Sequence, residues 1–234
     1  MFTSTHFIWI LISLSIIIIG SYLTFRFKLQ EHTVSLIMAF LCIISEGTKM
    51  SQYMIYKNGG YILDPFALPL HLCSMMIFVV GYIAMTKNES HKQMAIDFLV
   101  PMGFIGGVSA QLIPMDGVSF SSVKVWQGFL FHAVLLWYVF YFIISKRFDY
   151  SFKSYIRNIK ILLILALLSI YENSILNEYD TNFMFTHKPP VEGLPILNLN
   201  HGWFVYIMIL IVLVMAGLLV FYSFFWLKER KDRQ

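Results

Sequence analysis

The sequence predicts an all-α membrane protein, a bundle of seven transmembrane helices that forms a single integral membrane domain over residues 1–234. Of these residues, 58% are hydrophobic and only 13% are charged, whereas a soluble domain carries about 25% charged residues. A membrane helix needs roughly 20 apolar residues, and seven stretches approach that length. They are Phe7–Phe25, Val34–Tyr56, Pro65–Met85, Met94–Ile113, Val125–Ile144, Ile159–Asn177 and Gly202–Trp226. The composition excludes a disordered chain, a disulfide-stapled secreted domain and a nucleic-acid binder.

The first and fourth stretches need separate justification. No Lys or Arg precedes the first stretch, whereas Arg26 and Lys28 follow it, which is the reverse of a cleaved signal peptide. The fourth stretch contains Asp97 and Pro101 together with three glycines, so we expect a broken or tilted helix. Asp97 is expected at the interface, near Lys92.

The basic residues predict the orientation of the bundle. An external N-terminus places thirteen Lys and Arg residues in the inner segments and three outside, in agreement with the positive-inside rule. The three outer residues are Lys57, Lys124 and Lys188. The C-terminus is therefore predicted inside. The long connection at Glu178–His201 lies outside and is interpreted either as a functional loop or as an ordered surface cap.

Several polar residues fall within the predicted spans, where ionisable groups usually face the bundle interior. Glu46 and Lys49 are spaced i, i+3 on one helix, which predicts an ion pair that is either structural or substrate-binding. The others are His71, Cys73, His132, Glu172 and Asn173. At 1.5 Å per residue, these groups form a layer in the outer half of the bundle.

Cys73 and His132 are the candidates for covalent chemistry. Cys42 lies in an apolar run and too deep to form a disulfide with Cys73, which is expected to be a free thiol. Pro69 is expected to kink the helix beside Cys73, and Gly128 leaves room beside His132. A cysteine becomes nucleophilic when a neighbouring histidine takes its proton. A chance pairing of two structural residues stays open at this point.

Four motifs carry a family resemblance: LPLHLCS at 68–74, FLFHAVLLW at 129–137, TNFMFTHKP at 181–189 and HGWFVYI at 201–207. The chain resembles the YwaF-like bacterial integral membrane proteins, which are similar to the eukaryotic transmembrane protein 164 family, implicated in acyl transfer to ether phospholipids. The resemblance implies a multi-pass protein of the bacterial cytoplasmic membrane. It also implies catalytic roles for Cys73 and His132. At the position of the nucleophile this chain has Cys, whereas remotely related lipid hydrolases use Thr.

The predicted function is lipid acyl transfer or ester hydrolysis through an acyl-cysteine, with a membrane lipid as substrate. Lys49 is the candidate contact for a lipid phosphate, and Asn173 or Asn182 the candidate oxyanion donor. The full set of candidate substrate-binding residues is Glu46, Lys49, His71, Glu172, Asn173 and Asn182. No cofactor or metal is expected, because close metal-ligand spacings and a nucleotide-binding loop are missing. The alternatives are a small-molecule transporter or receptor, and a structural partner of another membrane protein.

Overall fold

The computed structural model describes residues 3–57, 59–191 and 195–232. The chain divides into two compact units, residues 1–148 and 149–234, which are described separately. The predicted connection at 178–201 includes residues 192–194, and the predicted basic tail includes Arg233; these residues lie outside the described part.

The first unit contains five α-helices and one β-hairpin. Its elements are α1 (Ser4–Arg26), α2 (Glu31–Gln52), β1 (Met54–Lys57), β2 (Gly60–Leu63), a 3₁₀ turn (Pro65–Ala67), α3 (Leu72–Met85), α4 (Glu89–Leu112) and α5 (Val123–Ile144). The second unit contains α6 (Phe152–Ile175), 3₁₀ turns at Asn177–Tyr179 and Phe183–Phe185, and α7 (Trp203–Asp232). Within the described residues, six of the seven α-helices are long and apolar enough to cross a membrane. The predicted all-α membrane protein is confirmed.

The helix starts follow ordinary capping chemistry. The side chains of Thr3, Asn88 and Ser151 accept hydrogen bonds from the first-turn amides of α1, α4 and α6. Such caps satisfy amides that have no partner within the helix. Long apolar runs then follow each helix start. Inside a bilayer such runs are helical, because every backbone polar group must be satisfied within the segment.

Small residues and buried polar groups hold the helices of the first unit together. A Cβ added to Gly103 of α4 would lie 2.9 Å from a methyl carbon of Val139, so the glycine permits close packing against α5. The Gln111 side chain accepts a hydrogen bond from Ser13 of α1 and donates one to the carbonyl of Phe129 of α5. These contacts join α1, α4 and α5.

A cluster of charges joins α2, α4 and the segment after α5. Arg147 Nε lies 2.7 Å from Glu31 Oε2, and Arg147 Nη2 lies 3.2 Å from Glu89 Oε2. Asp97, expected at the interface near Lys92, is 1% exposed and accepts a hydrogen bond from Gln93. The Gln93 side chain also donates to the carbonyl of Arg147, so Asp97 lies next to this charged cluster.

The structure corrects the predicted bounds of the second, third and sixth helices and the expected break in the fourth. The sixth begins at Phe152 rather than Ile159. The second helix does not reach Tyr56: it ends at Gln52, and the following residues enter the β-hairpin. The third does not begin at Pro65 but at Leu72, so Pro69 lies before the helix and cannot kink it. The fourth is continuous through Pro101 rather than broken.

Candidate functional site

The shortened α3 changes the setting of Cys73. With 14 residues, α3 spans about 21 Å, which is about 9 Å less than the hydrocarbon core. The segment before it is irregular, and residues 68–75 are all partly exposed. Irregular backbone at membrane depth is tolerated where it lines a cavity or is covered by protein. Cys73 therefore lies not in mid-helix, as its depth suggested, but in the first turn of α3.

The amides of this first turn carry unused hydrogen-bonding capacity. His71 is the N-cap residue, and its carbonyl accepts a hydrogen bond from the amide of Met75. The amides of Leu72, Cys73 and Ser74 have no intrahelical acceptor by helix geometry. The side chain of the N-cap residue His71 does not bond to them. The positive end of the helix dipole adds to these donors, so this turn favours negative charge next to the Cys73 sulfur.

Cys73 packs directly against the backbone of α4. A Cβ built on Gly106 would lie only 2.6 Å from Cys73 Sγ, so the sulfur occupies the space that any larger residue would need. Both cysteines are free thiols, as predicted; Cys42 is buried, whereas Cys73 is partly exposed. Sequence reasoning interpreted the glycines of α4 as a possible break and missed that one of them accommodates this sulfur.

The predicted ion pair is present and connects α2 to the start of α3. Lys49 Nζ lies 2.6 Å from Glu46 Oε1, and both side chains are largely buried. The same ammonium donates to Ser74 Oγ at 3.2 Å. One turn before Lys49 on the same face of α2, Ser45 Oγ accepts a hydrogen bond from Gln127 of α5 at 2.8 Å. Ser74 was not among the residues predicted from the sequence. It directly follows Cys73 in the chain, so its hydrogen bond to Lys49 brings the ion pair close to Cys73.

His132 lies on α5 with a defined tautomer. Its Nδ1 is 2.7 Å from the carbonyl oxygen of Gly128. Because a carbonyl only accepts, Nδ1 carries the hydrogen, and Nε2 of the neutral ring keeps its lone pair. A Cβ on Gly128 would meet no atom within 4 Å, in agreement with the predicted open space beside His132.

The contacts of α4 with α5 fix the level of His132. Gln111 donates to the carbonyl of Phe129, and a Cβ on Gly107 would contact Leu136. His132 therefore lies opposite the stretch of α4 between Gly107 and Gln111. Gly106, which lies against the Cys73 sulfur, directly precedes that stretch. The levels of Cys73 and His132 therefore differ by about 2–8 Å along the α4 axis. Within the described residues no hydrogen bond joins Cys73 to His132, whose ring bonds to Gly128.

Aromatic and charged side chains surround the start of α3. The Phe66 ring contacts both His71 and Tyr53, with centroid distances of 5.8 Å in each case. Lys124 Nζ lies 3.8 Å from the centroid of the Tyr53 ring. Burial, with Asp116 as the next cause, raises the pKa of Tyr53 to about 12. Its phenol therefore stays protonated at neutral pH.

The candidate residues of the second unit organise a loop. Asn173 accepts from the amide of Phe183 at 2.8 Å and donates to the carbonyl of Phe183 and to Thr186 Oγ1. Ser169 donates to the same carbonyl at 2.5 Å. Both amide hydrogens of Asn173 are therefore used within the loop, which argues against its suggested role as an oxyanion donor.

Asn182 has a similar structural role. Its Oδ1 accepts from the amides of His187 and Lys188, and its Nδ2 donates to the carbonyl of Lys188. Lys188 also pairs with Asp180, at 2.5 Å. The ammonium holds the pKa of Asp180 below its usual range. Glu172, by contrast, is partly exposed.

The loop keeps an unusual backbone. Met184 and Phe185 have φ values of +52° and +57°, which L residues rarely adopt. Trp203 of α7 donates to the carbonyl of Thr186 at 2.8 Å, and Tyr206 donates to the carbonyl of Phe185. Hydrogen bonds from α6 and α7 thus hold a backbone that would be unfavourable alone.

The model of the TMEM164 family matches residues 1–222 of the chain. Neither a curated protein nor a solved structure matches it. The match covers the first unit and most of the second, and it includes Cys73 and His132. The chain belongs to the TMEM164 family.

Proposed function

We propose that this TMEM164 family member is a membrane-embedded lipid acyltransferase or lipid esterase that acts through an acyl-cysteine. The observation that carries the proposal is the position of Cys73 in the first turn of α3, where an irregular segment ends and the N-cap side chain does not bond to the helix amides. A nucleophile at such a turn has oxyanion donors within its own backbone. The acyl-transfer chemistry implied by the family resemblance supports the same residue.

In the first half-reaction, His132 Nε2 takes the proton of Cys73 Sγ, and the sulfur attacks the ester carbonyl of a lipid. A C–S bond forms, and the carbonyl oxygen becomes an oxyanion. The first-turn amides of α3, including that of Ser74, donate to this oxygen in place of the asparagine suggested by the sequence. The ester C–O bond then breaks, and His132 returns the proton to the leaving lysolipid oxygen.

In the second half-reaction, an acceptor hydroxyl attacks the thioester. His132 takes the proton of that hydroxyl, a new C–O bond forms, and the C–S bond breaks. The proton then returns from His132 to the Cys73 sulfur, which restores the starting state. A lysolipid acceptor makes the reaction a transfer, and water makes it a hydrolysis.

Lys49 is the proposed contact for the lipid phosphate. An ammonium has three donors, of which Glu46 and Ser74 take two, so one remains for a phosphate oxygen. His71 and Glu172, both partly exposed, remain proposed substrate contacts.

The proposed location is a bacterial cytoplasmic membrane with the N-terminus outside, because basic residues concentrate in the predicted inner segments. A tag fused after Gln234 is expected to resist external protease in intact cells, whereas a tag before Met1 is cleaved. The opposite pattern would contradict the orientation.

Complementation of cells that lack the protein tests the proposed chemistry. Lipid profiles of such cells are expected to show altered amounts of one lysolipid and its acylated product, which wild type reverses. Cys73→Ser, His132→Gln and the double variant are expected to fail equally, because residues of one catalytic unit are not additive. Cys42→Ala is the control and restores the profile. Restoration by Cys73→Ser would refute the acyl-cysteine.

The buried charges of α2 favour one alternative, a small-molecule transporter or receptor. Glu46 and Lys49 lie in a span where ionisable groups mark functional sites by default. This alternative predicts that Cys73→Ser complements fully, whereas joint replacement of Glu46 and Lys49 by Ala does not.

A further inference from the structure

The β-hairpin between α2 and α3 is the feature of the first unit that the proposed chemistry does not use. Its strands pair in an antiparallel register with Ile55 opposite Ile62 and Tyr56 opposite Tyr61. An isolated two-stranded hairpin is marginally stable in water and needs a further apolar surface. This hairpin therefore requires a partner surface.

The hairpin exposes large apolar side chains instead of burying them. Tyr56 and Tyr61 are 68% and 72% exposed, and their rings contact each other at a centroid distance of 5.3 Å. Met54 lies on the same face as Tyr56, since side chains alternate along a strand, and is also exposed. The opposite face carries Ile55 and Ile62, which are about half as exposed as the tyrosines. The tyrosine face is thus the open one.

The position of the hairpin identifies what covers this face. The membrane span α2 ends at Gln52, so Tyr56 follows within about 13 Å of extended chain. Ile43 and Ile44 are exposed on α2, the helix that directly precedes the hairpin. Tyrosine is enriched at the boundary between lipid and water, where the ring contacts lipid and the hydroxyl stays hydrated.

We propose that the hairpin lies in the interfacial layer of the bilayer, with the Tyr56–Tyr61 face against phospholipid. The open edges of a two-stranded sheet exclude the hydrocarbon core, where unpaired backbone groups are too costly, so the headgroup and glycerol layer is the fitting depth. The hairpin continues through the 3₁₀ turn at Pro65–Ala67 to the start of α3. It therefore anchors the irregular segment before α3, residues 68–71, to the leaflet. This inference does not depend on acyl transfer.

Nitroxide spin labels in the full chain, reconstituted in phosphatidylcholine vesicles, test this placement. Labels are placed singly at Tyr61→Cys and Tyr56→Cys in a background in which Ala replaces both native cysteines; each label leaves the other tyrosine in place. Phe40→Cys, on the exposed surface of α2, gives the lipid reference, and Ser121→Cys, in the α4–α5 connection, gives the water reference.

Collision with molecular oxygen, which concentrates in lipid, is compared with collision with a water-soluble nickel chelate. The ratio at both hairpin sites is expected to lie several-fold above that at Ser121→Cys and below that at Phe40→Cys. Hairpin ratios equal to the water reference would overturn the proposal, and ratios equal to the lipid reference would overturn the interfacial depth.

Discussion

Replacing Gly106 by Ala tests whether the position of the Cys73 sulfur matters. The added Cβ would lie 2.6 Å from Sγ, whereas non-bonded heavy atoms sit about 3.5–4.0 Å apart. The sulfur must therefore move by about 1 Å or change its χ1 well. A displacement of this size at a reacting atom lowers the rate by about 100-fold, which corresponds to about 2.7 kcal/mol in activation free energy.

The same substitution should lower stability only modestly. Ala in a helix interior is favoured over Gly by about 1 kcal/mol, which offsets part of an overpacking cost of about 1–3 kcal/mol. Gly106→Ala is therefore expected to separate activity from folding. The thermal unfolding midpoint of the purified protein should stay close to that of wild type, while the rate of alkylation of Cys73 and the turnover of a phospholipid ester should change.

Gly81→Ala is the matched control. The added Cβ lies 3.9 Å from the end of the Met85 side chain. This control gains the same helix propensity without moving the sulfur and should keep wild-type turnover. A folded Gly106→Ala protein with unchanged turnover would refute the assigned role of the sulfur.

Three further outcomes are expected. Glu46→Ala leaves Lys49 as an unpaired buried charge and should cost about 3–5 kcal/mol in unfolding free energy, whereas replacement of both residues by Ala should cost less; denaturant unfolding in detergent measures both. Asn173→Ala removes three buried hydrogen bonds, each worth about 1–3 kcal/mol when a partner is left unsatisfied, so limited proteolysis should cleave the loop after α6 faster. Because Lys188 lowers the pKa of Asp180, their pair stabilises the loop at pH values above the usual Asp range. This stabilisation is lost as the pH falls through the lowered pKa. Hydrogen exchange of the loop should show that pH dependence, and Lys188→Ala should abolish it.

Helix number and the ion pair could be predicted because both depend on local sequence. Long apolar runs encode spans directly. The spacing of Glu46 and Lys49 places their side chains on one helix face whatever the rest of the fold does. The contact of Cys73 with Gly106 could not be predicted in this way, because it depends on how α3 and α4 align.

The start of α3 and the hairpin were missed for different reasons. Apolar residues predominate through Leu68–Leu72, so hydropathy gives no sign that the helix begins late. The informative residue was Pro69, because the residue before a proline is disfavoured in the helical region. The hairpin had a signal in the dipeptide Asn58–Gly59 between two β-branched and aromatic runs, which is typical of a two-residue turn. The first of those runs was assigned to the end of the second helix.

Mass spectrometry of the purified protein, incubated with a phospholipid acyl donor and no acceptor, tests whether the acyl-cysteine forms. We expect a fatty acyl group on the peptide that contains Cys73, released by neutral hydroxylamine as a thioester is, and none on the peptide that contains Cys42. The His132→Gln protein should form this adduct far more slowly. Turnover of the donor by wild type without any acyl group on Cys73 would contradict the acyl-cysteine mechanism.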